Sequence, residues 1–219
     1  RWRKCAGVGR LTVSLDARNP ETLHPITGGD LGKVLEGLME AKRVNRYPIK
    51  INMVVRRDLN LSEVGDMVDF CVANRFTLRF IETMPVGAAG QAAKDRYVPL
   101  DEVRQILEKQ FKLEPARMKG AGPAKYFKIV EKRIKIGFIT PMSQHFCEDC
   151  NRVRLSSEGT LYLCLGQQDK LELKPLLRKG LSDEELKDEI LAAIQRKPEK
   201  HEFNTNPDQV VRAMSMTGG

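Results

Sequence analysis

The chain has 219 residues, 41% of them hydrophobic, which is room for one large domain or two small ones around a substantial core. Its 37 Lys and Arg against 29 Asp and Glu give a formal charge of +8, which suits an anionic partner such as a nucleotide, a nucleic acid or a membrane surface without choosing among them. No apolar run reaches the roughly 18–20 residues of a membrane span, no hydrophobic signal segment opens the chain, and the Cys count and spacing do not make a secreted disulfide framework, so a soluble cytoplasmic protein is expected.

Residues 10–16 alternate apolar and polar side chains with period two and read as a strand beginning almost at once after Arg1, which suggests a fragment. Leu31, Val34, Leu35, Leu38 and Met39 then mark one helical face capped by Asp30, with His24-Pro25 before it in a loop. Residues 49–55 form a second strand, Val64, Met67, Val68, Cys71 and Val72 a second helical stripe starting near Ser62, and residues 77–83 a third strand. A Gly/Ala loop at 87–93 leads to a helix over 100–111 with Val103, Ile106 and Leu107 inward. Strand and helix alternate three times, the pattern of parallel βα units. Beyond residue 125 the pattern changes to short strands at 126–130, 134–140, 152–155 and 160–165, as in antiparallel hairpins, the last two joined by a turn at 156–159. Ser182-Asp-Glu-Glu185 is a capping box for a helix to about residue 197, and a polar segment with a break at 204–207 follows.

Parallel strands covered by helices are usually apolar on both faces, yet each of these three carries polar residues at every second position. Thr12, Ser14 and Asp16, then Lys50 and Asn52, then Thr77 and Arg79 would share a face lining a wet cavity inside an α/β barrel, with Lys50 and Arg79 projecting into it. A closed barrel takes about 250 residues, so only an incomplete one fits, with an unpaired edge at its first strand. Edge or solvent-facing strands are the alternative.

Cys147 and Cys150 stand in a C-x2-C turn, and Cys164 returns thirteen residues later within the hairpin region. Zinc would want a fourth ligand, for which His145, His201, Cys5 and Cys71 are not convincingly spaced, whereas an iron–sulfur cluster on three thiolates leaves one iron open. Between the cysteines, Arg152 and Arg154 fall on one side of a strand, and guanidinium forks beside an open metal position suit a nucleotide and its phosphates. The alternative is a structural zinc knuckle with surface arginines. Cys71 reads as a core residue.

The run Phe146-Cys-Glu-Asp-Cys-Asn-Arg-Val-Arg-Leu-Ser-Ser-Glu-Gly159 continuing through Leu161-Tyr-Leu-Cys-Leu-Gly166 resembles the molybdenum cofactor biosynthesis protein A family of radical S-adenosylmethionine GTP 3′,8-cyclases. Thr12-Val-Ser-Leu-Asp16, Lys50-Ile-Asn52, Leu78-Arg-Phe-Ile-Glu82 and the terminal Gly218-Gly219 support the likeness, which runs from about Gly7 to Gly219. The resemblance implies an α/β fold, a partial TIM-type βα barrel followed by an α+β cluster-binding region with antiparallel hairpins. The corresponding domains are residues 1–112, three barrel units, and 113–219, the cluster and GTP-binding part. It implies a 4Fe–4S cluster on Cys147, Cys150 and Cys164 whose open iron binds the GTP purine, contacts to GTP from Lys50, Arg152, Val153 and Arg154 and further from Arg79, and contacts to S-adenosylmethionine from Ser14 and Met84. Gly218 and Gly219 would form a tail reaching into the site.

The family's second 4Fe–4S cluster comes from an N-terminal C-x3-C-x2-C motif that this sequence lacks, so a second cluster is expected only in a full-length protein. That cluster cleaves S-adenosylmethionine to a radical that acts on the GTP ribose. The chain by itself is therefore expected to bind GTP but not to start the reaction. Expected partners are GTP, S-adenosylmethionine, the next enzyme of molybdopterin synthesis and a second copy in a homodimer, with neither membrane nor nucleic acid. Two rivals stand: a zinc-stabilised nucleic-acid-binding module, disfavoured by 6% aromatic residues, and a non-catalytic GTP-binding partner of a separate radical subunit.

Overall fold

A computed structural model of the chain describes residues 10–44, 48–118, 122–144, 146–148 and 150–217. The described residues divide into two compact units, one drawn from Arg1–Thr83 and Arg96–Ser143, the other from Met84–Asp95 and Gln144–Gly219. No helix among them is long and apolar enough to cross a membrane.

The first unit is built on a six-stranded mixed sheet. Strands β1 (Leu11–Ser14), β2 (Ile49–Val54) and β3 (Thr77–Ile81) are parallel and adjacent, as the alternation predicts. Helices α1 (Pro20–Thr27) and α2 (Leu31–Val44) connect β1 to β2, and α3 (Val64–Asn74), entered through a 3-10 turn at Leu61–Glu63, connects β2 to β3. Helix α1 replaces the loop expected around His24. Asn19 accepts the Glu21 amide at 2.9 Å, Pro20 presets the first turn and Gly28 closes it at φ 68°, so both ends are capped although Pro25 sits inside. Asp30 caps α2 as expected, accepting the Lys33 amide at 3.2 Å, while Met39, assigned to the buried stripe, is exposed.

After helix α5 (Leu100–Glu108) the chain runs through β4 (Leu113–Ala116), β5 (Lys125–Ile129) and β6 (Ile134–Ile139), giving the order β1-β2-β3-β6-β5-β4. Strand β6 lies parallel to β3, so the first hairpins of the second half extend the βα sheet. The compact units accordingly divide near residue 143, whereas the sequence reading drew its boundary after residue 112. Strand β4 escaped sequence detection because of Pro115, which an edge strand tolerates.

The apolar faces of β2 and β3 meet the helices. Ile51, Met53, Leu78, Phe80, Val68, Cys71 and Leu107 are all solvent-free within one core cluster. Complete burial of such side chains is worth about 1.5–3 kcal/mol each, enough to fix which sheet face turns to the helices. Cys71 is a core residue as expected, and burial pushes its thiol up to about 12.

The second unit has a three-stranded antiparallel sheet of β7 (Arg154–Leu155), β8 (Thr160–Tyr162) and β9 (Lys170–Glu172), with helices α4 (Gly87–Ala92), α6 (Leu173–Arg178) and α7 (Asp183–Gln195). The β7–β8 turn falls at Ser156–Gly159 as expected, and the Ser182 capping box opens α7 with both reciprocal bonds present. Helix α4 stands where a loop was expected. Its core is small, Leu161, Leu163 and Ala193 backed by Leu171, Leu173 and Ile190.

Candidate functional site

Each unit carries part of the candidate residue set. In the first, the register pairs Thr12 with Lys50, Ser14 with Asn52 and Asn52 with Arg79, so these five side chains share one sheet face. Lys50, Asn52 and Arg79 are half-buried, Thr12 and Ser14 exposed. Arg79 is held from two strands, donating from Nε to Asn52 at 2.8 Å and from Nη2 to the Thr12 hydroxyl at 3.4 Å. Gly137, opposite Arg79 on β6, makes room for it: a Cβ there would stand 2.9 Å from the Tyr126 ring and 3.2 Å from Cγ of Arg79. Desolvation, with Arg79 and Arg10 nearby, holds the Lys50 ammonium below its ordinary range. No carboxylate among the described residues forms an ion pair with Lys50 or Arg79.

Just beyond β3, Glu82 is solvent-free and collects donors from two other segments. Its Oε2 accepts the amides of Met142 at 2.8 Å and Ser143 at 3.0 Å, and its Oε1 accepts the Leu100 amide at 3.3 Å and the Ser143 hydroxyl. The Tyr97 hydroxyl, pushed up to about 12 by burial and by this carboxylate, bonds to it as well. A further knot is Asn60, whose amide donates to the carbonyls of Asp16 at 2.7 Å and Val54 at 2.9 Å while its oxygen accepts the Arg56 amide at 2.7 Å. Together these bonds fix the C-terminal ends of β1, β2 and β3, where α/β sheets place their ligands.

In the second unit, Cys147 and Cys150 are joined by a tight turn, the Cys150 amide donating to the Cys147 carbonyl at 3.0 Å. All three candidate cysteines are free and half-buried. Burial pushes the Cys164 thiol up. The Gly166 amide directed at its sulfur and the Lys197 charge oppose this, and the neighbouring Cys147 and Cys150 add to it. Arg152 and Arg154 are half-buried and alternate with exposed Val153 and Leu155, although of the strand expected over 152–155 only Arg154–Leu155 forms. Burial and the charge of Arg152 pull the Arg154 guanidinium down while Cys150 pulls it up. Neither arginine makes an ion pair with a described residue.

As they stand, no three His, Cys, Asp or Glu side chains among the described residues are gathered closely enough to hold one metal ion. The donor set nevertheless fits an iron–sulfur cluster: three free thiols in one neighbourhood, an N–H aimed at one sulfur and cations around them. Of the fourth-ligand candidates, His201 stacks on Phe203 at 4.7 Å and its Nδ1 takes the Phe203 amide at 3.3 Å, and Cys71 is in the core of the first unit. Cys5 and His145 lie outside the described residues, as do Gly218 and Gly219. Met84 is half-buried, its carbonyl tight against Gly90, where a Cβ would approach to 2.4 Å.

Sequence reasoning left three participants unassigned. Asn52 and Glu82 were visible in the motifs but carried no role, and Arg212, which reaches the Cys164 loop, had no local signal.

The chain belongs to the Molybdenum Cofactor Synthesis C family, which matches residues 76–203, from the strand before Glu82 through all three cysteines. Its relatives include proteins named GTP 3′,8-cyclase in Brucella ovis, Brucella canis and Brucella suis, each 44% identical over 218 residues, which is 97% of this chain and 63% of the relative. The chain thus spans about 63% of the length of the curated relatives it matches. At 97% of the chain, the similarity to these relatives extends beyond the family match into the stretch that carries β1 and β2.

Proposed function

We propose that this chain carries the substrate side of a GTP 3′,8-cyclase, a radical S-adenosylmethionine lyase of molybdenum cofactor biosynthesis. The observation that carries the reading is the juxtaposition, in one unit, of three free thiols with two half-buried guanidiniums that have no carboxylate partner among the described residues. Cys147, Cys150 and Cys164 would hold a 4Fe–4S cluster, which when bound supplies an open iron for the purine of GTP. Arg152 and Arg154 grip the phosphates as bidentate forks, and their partial desolvation strengthens that grip. Val153, in the same segment, is assigned a contact to GTP on the strength of the resemblance. Lys50 and Arg79 of the first unit are assigned contacts to GTP on the strength of the resemblance, with Asn52 and Thr12 setting the Arg79 fork. Ser14 and Met84 contact S-adenosylmethionine, and Gly218 and Gly219 approach the substrate as a tail. The first-unit sheet is read as part of an incomplete barrel. The radical chemistry itself needs a second cluster that these residues do not supply, so turnover is not assigned to this chain alone; a homodimer and delivery to the next enzyme of the pathway belong to the same reading.

The test is anaerobic reconstitution of the chain with iron and sulfide, followed by metal analysis and electron paramagnetic resonance of the reduced protein with and without GTP. About four irons per chain and a spectrum altered by GTP support the reading. Tightly bound zinc, no iron and no effect of GTP overturn it in favour of a zinc-stabilised nucleic-acid-binding module.

A further inference from the structure

Residues 164–167, the loop that begins with Cys164, offer four consecutive backbone carbonyls, and all four are taken by two side chains of the C-terminal segment. Arg212 Nη2 donates to the carbonyls of Cys164 at 3.0 Å, Leu165 at 2.7 Å and Gln167 at 2.8 Å. Gln209 Nε2 donates to the carbonyl of Gly166 at 2.9 Å. Arg212 Nη1 reaches the Gln168 side chain at 3.2 Å, and the guanidinium lies 4.3 Å from the centroid of the Tyr162 ring on β8. Carbonyl dipoles turned toward one point repel one another, so the three that meet at Arg212 Nη2 are stabilised by the positive charge there. Gly166 is packed so tightly that a Cβ would stand 2.7 Å from His201 Cβ, which leaves the loop little freedom once the cation is in place.

The same segment is tied on its other side to the helix that follows Met84. Val210 accepts the Gly87 amide at 3.0 Å, Gln91 donates to the Pro207 carbonyl, and Lys94 pairs with Asp208 at 2.6 Å. Further along, Arg154 Nη1 donates to the Thr217 carbonyl at 3.4 Å. Arg212 therefore sits on a strap that meets the α4 helix, the Cys164 loop and a candidate phosphate-binding arginine.

We propose that Arg212 is a positioning residue for the cluster site: it folds the 164–167 loop so that Cys164 is presented as a ligand, anchors the C-terminal strap there, and places a fixed positive charge beside the Cys164 thiolate. This rests on the cluster reading under Proposed function. A positive charge at that position favours the more negative, reduced state of a cluster, so Arg212 also raises the reduction potential.

Arg212→Ala and Arg212→Lys are compared with the parent chain. In the metal-free proteins, hydrogen exchange of the amides in residues 164–169 and 207–217 is expected to quicken at least about tenfold in Arg212→Ala, with the six-stranded sheet unchanged. After reconstitution, Arg212→Ala retains less iron, and the iron it keeps shows a more negative reduction potential than the parent. Arg212→Lys keeps the charge, restoring the potential and part of the iron retention. Unchanged exchange in both segments, or equal iron with an equal potential, overturns the proposal. If the parent chain takes up no iron at all, the cluster reading fails and the ligand role assigned to Arg212 fails with it, while the exchange comparison still decides whether Arg212 orders the loop.

Discussion

Replacing Glu82 by Gln changes one atom of a solvent-free side chain that joins three segments of the first unit. The two oxygens are not equivalent. Oε2 faces two amide donors, those of Met142 at 2.8 Å and Ser143 at 3.0 Å, so the new NH2 group cannot sit there without losing both bonds. Placed at Oε1, it can satisfy the Ser143 hydroxyl, which turns round to accept, but it meets the Leu100 amide at 3.3 Å donor to donor. One buried N–H is then left without an acceptor, at about 1–3 kcal/mol, and the remaining bonds lose their charge assistance. The expected loss is about 2–4 kcal/mol, or about 5–15 °C in Tm for a chain of this size. Urea unfolding of the metal-free chain followed by far-ultraviolet circular dichroism gives the free energy, and hydrogen exchange at Leu100, Met142 and Ser143 gives the location. A loss below about 0.5 kcal/mol with an unchanged m-value would refute the assignment of Glu82 as the hub of these loops.

Arg152→Ala should weaken GTP binding to the reconstituted chain about ten- to hundredfold, with iron content unchanged; calorimetry and metal analysis check this, and loss of iron with intact GTP affinity contradicts the assigned role. Gly166→Ala forces a methyl group to 2.7 Å from His201 Cβ and 3.0 Å from the Phe203 ring. It should destabilise the second unit by about 1–3 kcal/mol, seen as faster exchange in residues 164–169. Burial raises the Asp16 carboxyl above its ordinary 3.8, so between that value and its folded-state pKa the folded chain binds more protons than the unfolded one, and stability falls as pH rises through the window. Asp16→Asn should flatten that slope in urea titrations across the acidic range, and an unaltered slope would show that Asp16 is not its source.

Much of the candidate site was legible before any fold was known, because its signals are local. The Cys147–Cys150 turn, the one-sided placement of Arg152 and Arg154 and the alternation that set Lys50 and Asn52 opposite Ile49, Ile51 and Met53 depend only on spacing and on the two-residue period of a strand. The βα alternation and the Ser182 capping box were legible for the same reason. The short elements were not: β4, β9 and α6 have three to six residues and no periodicity to read, and α1 is an eight-residue helix with a proline inside.

What only the tertiary structure decided concerns partners distant in sequence. Strand β6 joins β3 in parallel and pulls β4 to β6 into the βα sheet, because its buried face completes the core around Phe80 and Phe138, whose rings lie 5.6 Å apart. Glu82 gathers donors 60 and 61 residues away, and Arg212 finds its carbonyls 45 to 48 residues upstream. A carboxylate or a guanidinium in a sequence carries no mark of what it will bond. Its role is set when burial removes water as the competing partner and leaves the chain's own amides and carbonyls to satisfy it.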